Sequence, residues 1–130
     1  ETYIESDLEL RFPPTYIPSD SERISLYREL DKMEEERDIQ AFKERIEDRF
    51  GKIPTEGMEL IRIVRFRRMA KGLGVEKAIL KKGQMILYMV SNPKSLCKLR
   101  EQNDKLSIVV KNVTTVGKAC AIMEEIEKIN

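Results

Sequence analysis

The stretch Asp48-Arg49-Phe50-Gly51-Lys52-Ile53-Pro54 constrains this chain more than any other. Phe50 closes an apolar helical face, and Gly51 is placed to cap the helix in the left-handed conformation. Pro54 then bars continuation before Thr55 caps the next helix. A helix–turn–helix junction is therefore fixed near the middle of the sequence. Any helical hairpin can use such punctuation, so by itself it names no function.

The periodicity on either side agrees with it. Ile39, Phe42, Ile46 and Phe50 fall at spacings of three and four with charges between, which predicts a second helix over about 38–50. Ahead of it, Ser19-Asp20-Ser21-Glu22 has the form of a capping box. Leu26, Leu30 and Met33, with Ile24 and Tyr27, give the stripe of a first helix that ends in the solvated run Glu34-Glu35-Glu36. The third helix opens at Pro54 or Thr55 and ends at Gly72 or Gly74. Its apolar face is broad: Met58, Ile61, Val64, Met69 and Leu73 are widened by Leu60, Ile63 and Phe66. Such a circumference suits a helix covered by more than one neighbour.

After Gly74 the pattern changes. Residues 75–80 and 85–90 are apolar or β-branched runs around Lys81-Lys82-Gly83-Gln84, which reads as a hairpin with Gly at the turn. A short helix over 93–100, a loop over 103–105 and a strand over 106–110 follow. Thr114 or Thr115 caps a last helix with Val116, Cys120, Met123 and Ile126 or Ile129 inward. At the start, Ile4, Leu8, Leu10 and Phe12 largely alternate with polar residues, predicting a short strand stopped by Pro13-Pro14. The expected fold class is α+β, with N-terminal helices packed with a small, mainly antiparallel sheet and a C-terminal helix. A chain of 130 residues suits one domain. We divide it into an extended lead-in over 1–15 and a single domain over 16–130.

Several function classes lose support. The chain has no histidine, which removes the commonest general base, the usual partner of a Ser or Cys nucleophile and the commonest metal ligand. Lys71-Gly72-Leu73-Gly74-Val75-Glu76-Lys77 looks like a phosphate loop but lacks the third glycine and follows a helix, so it reads as helix termination. No GxxxxGK[ST] is present. Cys97 and Cys120 are well separated without a CxxC spacing; two free thiols are favoured and a bridge stays open. Cys120 belongs to the inward face of the last helix. No apolar run approaches the roughly 20 residues of a membrane span, and no leader marks secretion. The start at Glu1 rather than Met suits a segment of a longer polypeptide. The expectation is a cytoplasmic, non-catalytic domain with no cofactor or metal.

Net charge is only +1, yet the charges are segregated along the chain. Arg62, Arg65, Arg67, Arg68, Lys71, Lys77, Lys81 and Lys82 make the third helix and the hairpin basic. They suit either a solvated face paired with the acidic helices or a contact with polyanion phosphates or an acidic partner. Arg65, Arg68, Lys81 and Lys82 are the candidates for that contact. Aromatic residues for stacking are sparse in this segment, with Phe66 expected inside, so DNA binding is expected to be weak and salt-sensitive. Glu34, Glu35, Glu36, Asp38, Glu44, Glu47 and Asp48 form the acidic pole, which by composition alone reads as a solvated face.

A family resemblance adds to this. Tyr16-Ile17-Pro18 with Arg23 and Leu26-Tyr27, then Asp48-Arg49-Phe50-Gly51 with Pro54, then Arg68 and Ala70, then Leu73-Gly74-Val75 occur in one order and spacing. Over about 16–90 this set resembles the C-terminal domain of the bacterial transcription-repair coupling factors. These are ATP-dependent DNA translocases that release stalled RNA polymerase and recruit nucleotide excision repair. The resemblance implies a non-catalytic, autoinhibitory domain that packs on the N-terminal UvrB-like module of its own polypeptide and masks the surface that recruits UvrA. RNA polymerase and DNA are then met through other domains of the parent. The family's docking helix is acidic around its DRFG motif, and Asp48 matches that position. Three residues earlier, where some members carry an acid, this chain has Arg45; Glu44 and Glu47 are placed to present charge instead. The implied interface residues are thus Glu44, Glu47 and Asp48. The alternative is a module that contacts nucleic acid or polymerase through the basic helix and hairpin.

Overall fold

In the computed structural model, which describes residues 2–89 and 107–129, the Ser19 hydroxyl accepts from the Glu22 backbone N–H at 3.2 Å. This cap opens α1 (Asp20–Asp31), as the capping-box spacing predicts. Then come α2 (Glu36–Phe50) and α3 (Thr55–Gly72). α2 starts at Glu36 rather than near Asp38. Glu36 does not end α1 but supplies a carboxylate to the first turn of α2, where the helix dipole favours negative charge. Arg65 pairs with it at 2.6 Å. The helix expected over 93–100, the loop over 103–105, the sheet run beyond Met89 and Cys97 lie outside the described residues.

The chain divides into two compact units, Glu9–Arg65 and Glu1–Leu8 together with Phe66–Asn130. In the first, Phe12, Ile17, Leu30, Ile39, Phe42, Ile46, Ile53, Ile61 and Val64 form one buried cluster. Phe12 stacks on Tyr27 at 5.8 Å and on Phe42 at 6.3 Å between centroids. The strand predicted through Phe12 therefore stops short. The Phe12 N–H is taken by the Tyr27 hydroxyl at 3.0 Å instead of by a sheet neighbour. Ile24 departs from the predicted stripe as well and is 48% exposed. Six positions from the buried Leu30, it stands about 120° round the helix.

The second unit is built on a sheet in the order β1-β2-β3-β4. Its strands are β1 (Tyr3–Ser6), β2 (Val75–Lys81), β3 (Gln84–Met89) and β4 (Ser107–Lys111). β1 joins β2 in parallel, and the other two pairings are antiparallel. The hairpin is tighter than predicted: Lys81 pairs with Gln84, leaving Lys82 and Gly83 as a two-residue turn at φ 54° and 71°. Positive φ at both positions gives the turn a twist that matches the strands. α4 (Val116–Ile129) is capped by Thr115, whose hydroxyl accepts from the Lys118 N–H at 3.0 Å. Val116, Ala119, Cys120, Met123 and Ile126 are buried on it. Ile129 is 65% exposed, so the inward position is Ile126. Among the described residues the fold is α+β, four helices with a four-stranded mixed sheet.

Alternation along the strands separates the two faces of the sheet. Ala78, Leu80, Met85 and Leu87 are buried. Lys77, Ile79, Lys81, Ile86 and Tyr88 alternate with them and stand partly or fully open on the other side.

Candidate functional site

The turn after α2 ties together two motifs that are distant in sequence. The Tyr16 hydroxyl donates to the Gly51 carbonyl at 2.6 Å, and its ring tilts onto Phe50 at 5.8 Å. Burial pushes the Tyr16 hydroxyl above its ordinary pKa, and the charge of Glu47 adds to the rise. Gly51 is not in the left-handed helical well predicted for it. It has φ 88° but ψ −169°, a region essentially restricted to glycine. This conformation presents the Gly51 carbonyl to Tyr16, while the Gly51 N–H closes the helix onto the Glu47 carbonyl at 2.9 Å. Ile17 and Ile53, one from each motif, are both buried.

Two arginines of α2, Arg45 and Arg49, turn toward α1. Arg49 pairs with Glu22 at 2.9 Å, and Arg45 pairs with Glu29. This leaves Glu44, Glu47 and Asp48 on the outer side of α2, at spacings of three and four that place them on one helical face. Glu44 and Asp48 are exposed and Glu47 is half-buried. Among the described residues none of these three forms an ion pair. The structure thus groups the three predicted interface acids and leaves them without counter-charge. Separately, α1 and α2 border an open groove of about 800 Å³ lined by Ile24, Met33 and Phe42, with Arg28, Lys32 and Arg45 among its polar residues and none of the three acids.

The basic candidates divide between the two units. Arg65 lies in the helical unit and is committed to Glu36. Lys81 lies in the sheet unit and pairs with Glu5 at 2.7 Å. Their hydrogen bond holds the Glu5 carboxyl below and the Lys81 ammonium above their ordinary ranges. Arg68 and Lys82 are exposed, and Phe66 is buried as expected. Sequence reasoning missed Tyr3 and Tyr88. Register places Tyr3 beside Lys77 on β2, and Tyr88 on Lys77's other side. The Lys77 ammonium lies 5.8 Å from the Tyr3 ring centroid. A cleft of about 620 Å³ is lined by Tyr3, Glu76, Lys77 and Tyr88. Alternation along β3 was enough to turn Tyr88 outward. No local pattern could bring Tyr3 to Lys77.

Cys120 is buried. Among the described residues, no helix is long and apolar enough to cross a membrane, and no group of three or more Cys, Asp or Glu residues could hold a metal ion.

Comparison with known proteins follows the same outline. The TRCF domain family matches residues 6–100. The transcription-repair-coupling factor of Helicobacter pylori is 32% identical over 102 residues, covering 77% of this chain and 10% of that protein. The Escherichia coli protein of that name is 30% identical over 77 residues, 59% of this chain and 7% of its own length. The one from Staphylococcus epidermidis is 35% identical over 88 residues, 68% of this chain and 7% of its own length. The chain therefore spans about a tenth or less of these curated relatives. Among solved structures, the C-terminal domain of a transcription-repair coupling factor superposes with a TM-score of 0.77 at 16% identity. That match covers 98% of this chain and 92% of the other, and shows a shared fold.

Proposed function

This chain belongs to the TRCF domain family, and from that premise we propose that it is a non-catalytic, autoinhibitory interaction domain of a bacterial transcription-repair coupling factor. In this reading the parent is a cytoplasmic, ATP-dependent DNA translocase that releases stalled RNA polymerase and recruits nucleotide excision repair. The domain docks on the parent's UvrB-like N-terminal module and masks the surface that binds UvrA. One observation supports this above the rest. Arg49, Phe50 and Gly51 of the Asp48-to-Gly51 motif are used inside the fold, by Glu22 and by Tyr16. Asp48 is not. It stands outward with Glu44 and Glu47, while the neighbouring arginines are diverted to α1.

An acidic face kept free of its own arginines suits a basic partner. Each exposed ion pair gives about 0–1 kcal/mol, so three acids alone hold a closed state weakly. The groove at Ile24 can add apolar contact, and interdomain interfaces of about 600–1,500 Å² remain polar enough to open. The test is to reverse Glu44, Glu47 and Asp48 to Lys in the full-length parent. The closed–open balance should shift by about 1–3 kcal/mol, or roughly 5–150-fold, read as stronger UvrA binding and higher basal ATPase. Circular dichroism of the variant domain should be unchanged. A correctly folded variant that binds UvrA and hydrolyses ATP like its parent removes docking through this face. Deleting residues 1–130 then separates the remaining cases. Derepression would place the interface on another face, and no change would end the autoinhibitory reading.

A further inference from the structure

The open face of the sheet carries chemistry that the acidic docking face does not use. Tyr3, Lys77 and Tyr88 stand in one cross-strand row over β1, β2 and β3. Tyr3 is 60% and Tyr88 40% exposed, so both rings offer surface to solvent, and a cleft lies between them. In the next row Glu5 stands beside the aliphatic Ile79, Ile86 and Val109. Beyond it come Lys81 and Lys111, with Lys82 at the turn.

Three acids border this face. Glu5 is taken by Lys81, and Asp7 accepts from the Lys82 backbone N–H at 3.0 Å. Glu76 lines the cleft itself. Among the described residues, Lys77, Lys82 and Lys111 form no ion pair. Two outward aromatic rings astride a lysine, with further lysines at the far end of the same face, are what a single strand of nucleic acid requires. Bases stack on aromatic rings whatever their sequence, and ammonium groups meet the phosphates between them. A duplex hides its base faces and would find only the lysines.

We propose that this sheet face is a weak binding site for single-stranded nucleic acid, with Tyr3 and Tyr88 as stacking platforms and Lys77 as the phosphate contact between them. The site supplies the aromatic residues that the basic segment lacks in sequence. It is independent of the acidic face of α2.

The test titrates the 130-residue chain into fluorescein-labelled oligothymidine, oligouridine and a DNA duplex of equal length, read by anisotropy at low salt. Both single strands should bind at least several-fold tighter than the duplex, and oligodeoxyuridine, which differs from oligouridine only in the sugar, separates a preference for the sugar from one for the thymine methyl. Tyr3→Ala and Tyr88→Ala should each weaken single-strand binding about 5–150-fold, the range of one base–aromatic stack. Tyr3→Phe and Tyr88→Phe should keep most of it. Lys77→Glu should reduce both affinity and the steepness of its salt dependence. Because both tyrosines are exposed, the variants should retain the parent's circular dichroism. Equal binding of duplex and single strand, with no effect of the tyrosine variants, would overturn the site. So would absence of binding at millimolar protein. Tyrosine-dependent binding of polyglutamate in place of the oligonucleotides would assign the face to an acidic protein instead.

Discussion

The helical unit and the sheet unit organise their surfaces by different means. In Glu9–Arg65, side chains hold the elements to one another: Tyr16 is fastened to Gly51, Phe12 is stacked between Tyr27 and Phe42, and Arg45 and Arg49 reach across to α1. The arginines used in this way leave the outer side of α2 acidic. In the sheet unit the backbone ladder does most of the holding, joined on the open face by the Glu5–Lys81 pair. That face carries tyrosines, aliphatics and lysines in rows. A net charge of +1 therefore describes neither surface. What a partner meets is decided by which charges the fold consumes internally.

The strongest way to probe this contrast is to empty the aromatic centre of the helical unit. Phe42 is 1% exposed, and Phe42→Ala should destabilise the protein by about 3–5 kcal/mol through lost burial and the cavity left behind. Urea titrations followed at once by backbone amide signals of α2 and of β2 and β3 give the measurement. We expect one coincident transition moved to lower denaturant, the outcome that a single cooperative domain over 16–130 requires. Two separated transitions, with the sheet signal unmoved, would make the units independent folds and sharpen the comparison into a boundary.

Two of the three positive-φ glycines among the described residues, Gly51 and Gly83, offer a finer comparison. Gly83 sits in the left-handed region at φ 71°, which alanine can enter at a cost of about 1–2 kcal/mol. Gly51, at φ 88° and ψ −169°, occupies a region nearly closed to other residues, and strain there is worth about 1–3 kcal/mol. A side chain at Gly51 would meet nothing within 4 Å, so its cost is backbone strain alone. Gly51→Ala should also tilt the carbonyl away from Tyr16. Chemical denaturation should rank Gly51→Ala as more destabilising than Gly83→Ala. The reverse order would mean that the turn relaxes into the left-handed cap the sequence suggests.

These two glycines show where the sequence was legible. Caps and stops are local, so Ser19, Pro54, Gly72 and the hairpin around Gly83 could be placed from spacing alone. Ile24 was misassigned because apolar character does not report which side of α1 is covered. The Gly51 conformation was missed because it depends on Tyr16, a partner 35 positions away. β1 is similar. Its strand character was readable at Ile4, but its parallel pairing with β2, and hence the meeting of Tyr3 with Lys77, rests on a non-local register. The acidic triad was named from the family resemblance alone, and helical periodicity adds that its three positions share a face. That it stays uncompensated was not legible, since this required Arg45 and Arg49 to choose α1.

The smallest effect concerns the ion pair between Glu5 and Lys81 that helps fasten β1 to the sheet. Lys81 donates to Glu5 at 2.7 Å with both side chains substantially exposed, so it should act on local fraying of β1 rather than on global stability. The hydrogen bond to Lys81, followed by its charge, lowers the Glu5 pKa from its ordinary 4.5. A lowered carboxylate pKa means that the unfolded strand binds the proton first. The contribution is therefore complete above 4.5 and disappears as pH falls through the folded value. Lys81 is raised from 10.5, chiefly by the same bond, so its contribution is complete below 10.5 and disappears as pH rises through its folded value. Between those limits the pair is intact. The Asp7 N–H donates to the Leu80 carbonyl at 3.1 Å, and this bond closes the β1 edge. Its hydrogen-exchange protection, taken as the ratio of wild type to Glu5→Gln, should exceed unity near neutral pH. It should converge on unity as acid protonates Glu5. A ratio that stays flat across that range would show that the ladder alone holds β1, making the sheet unit fully backbone-fastened and the contrast with the helical unit complete.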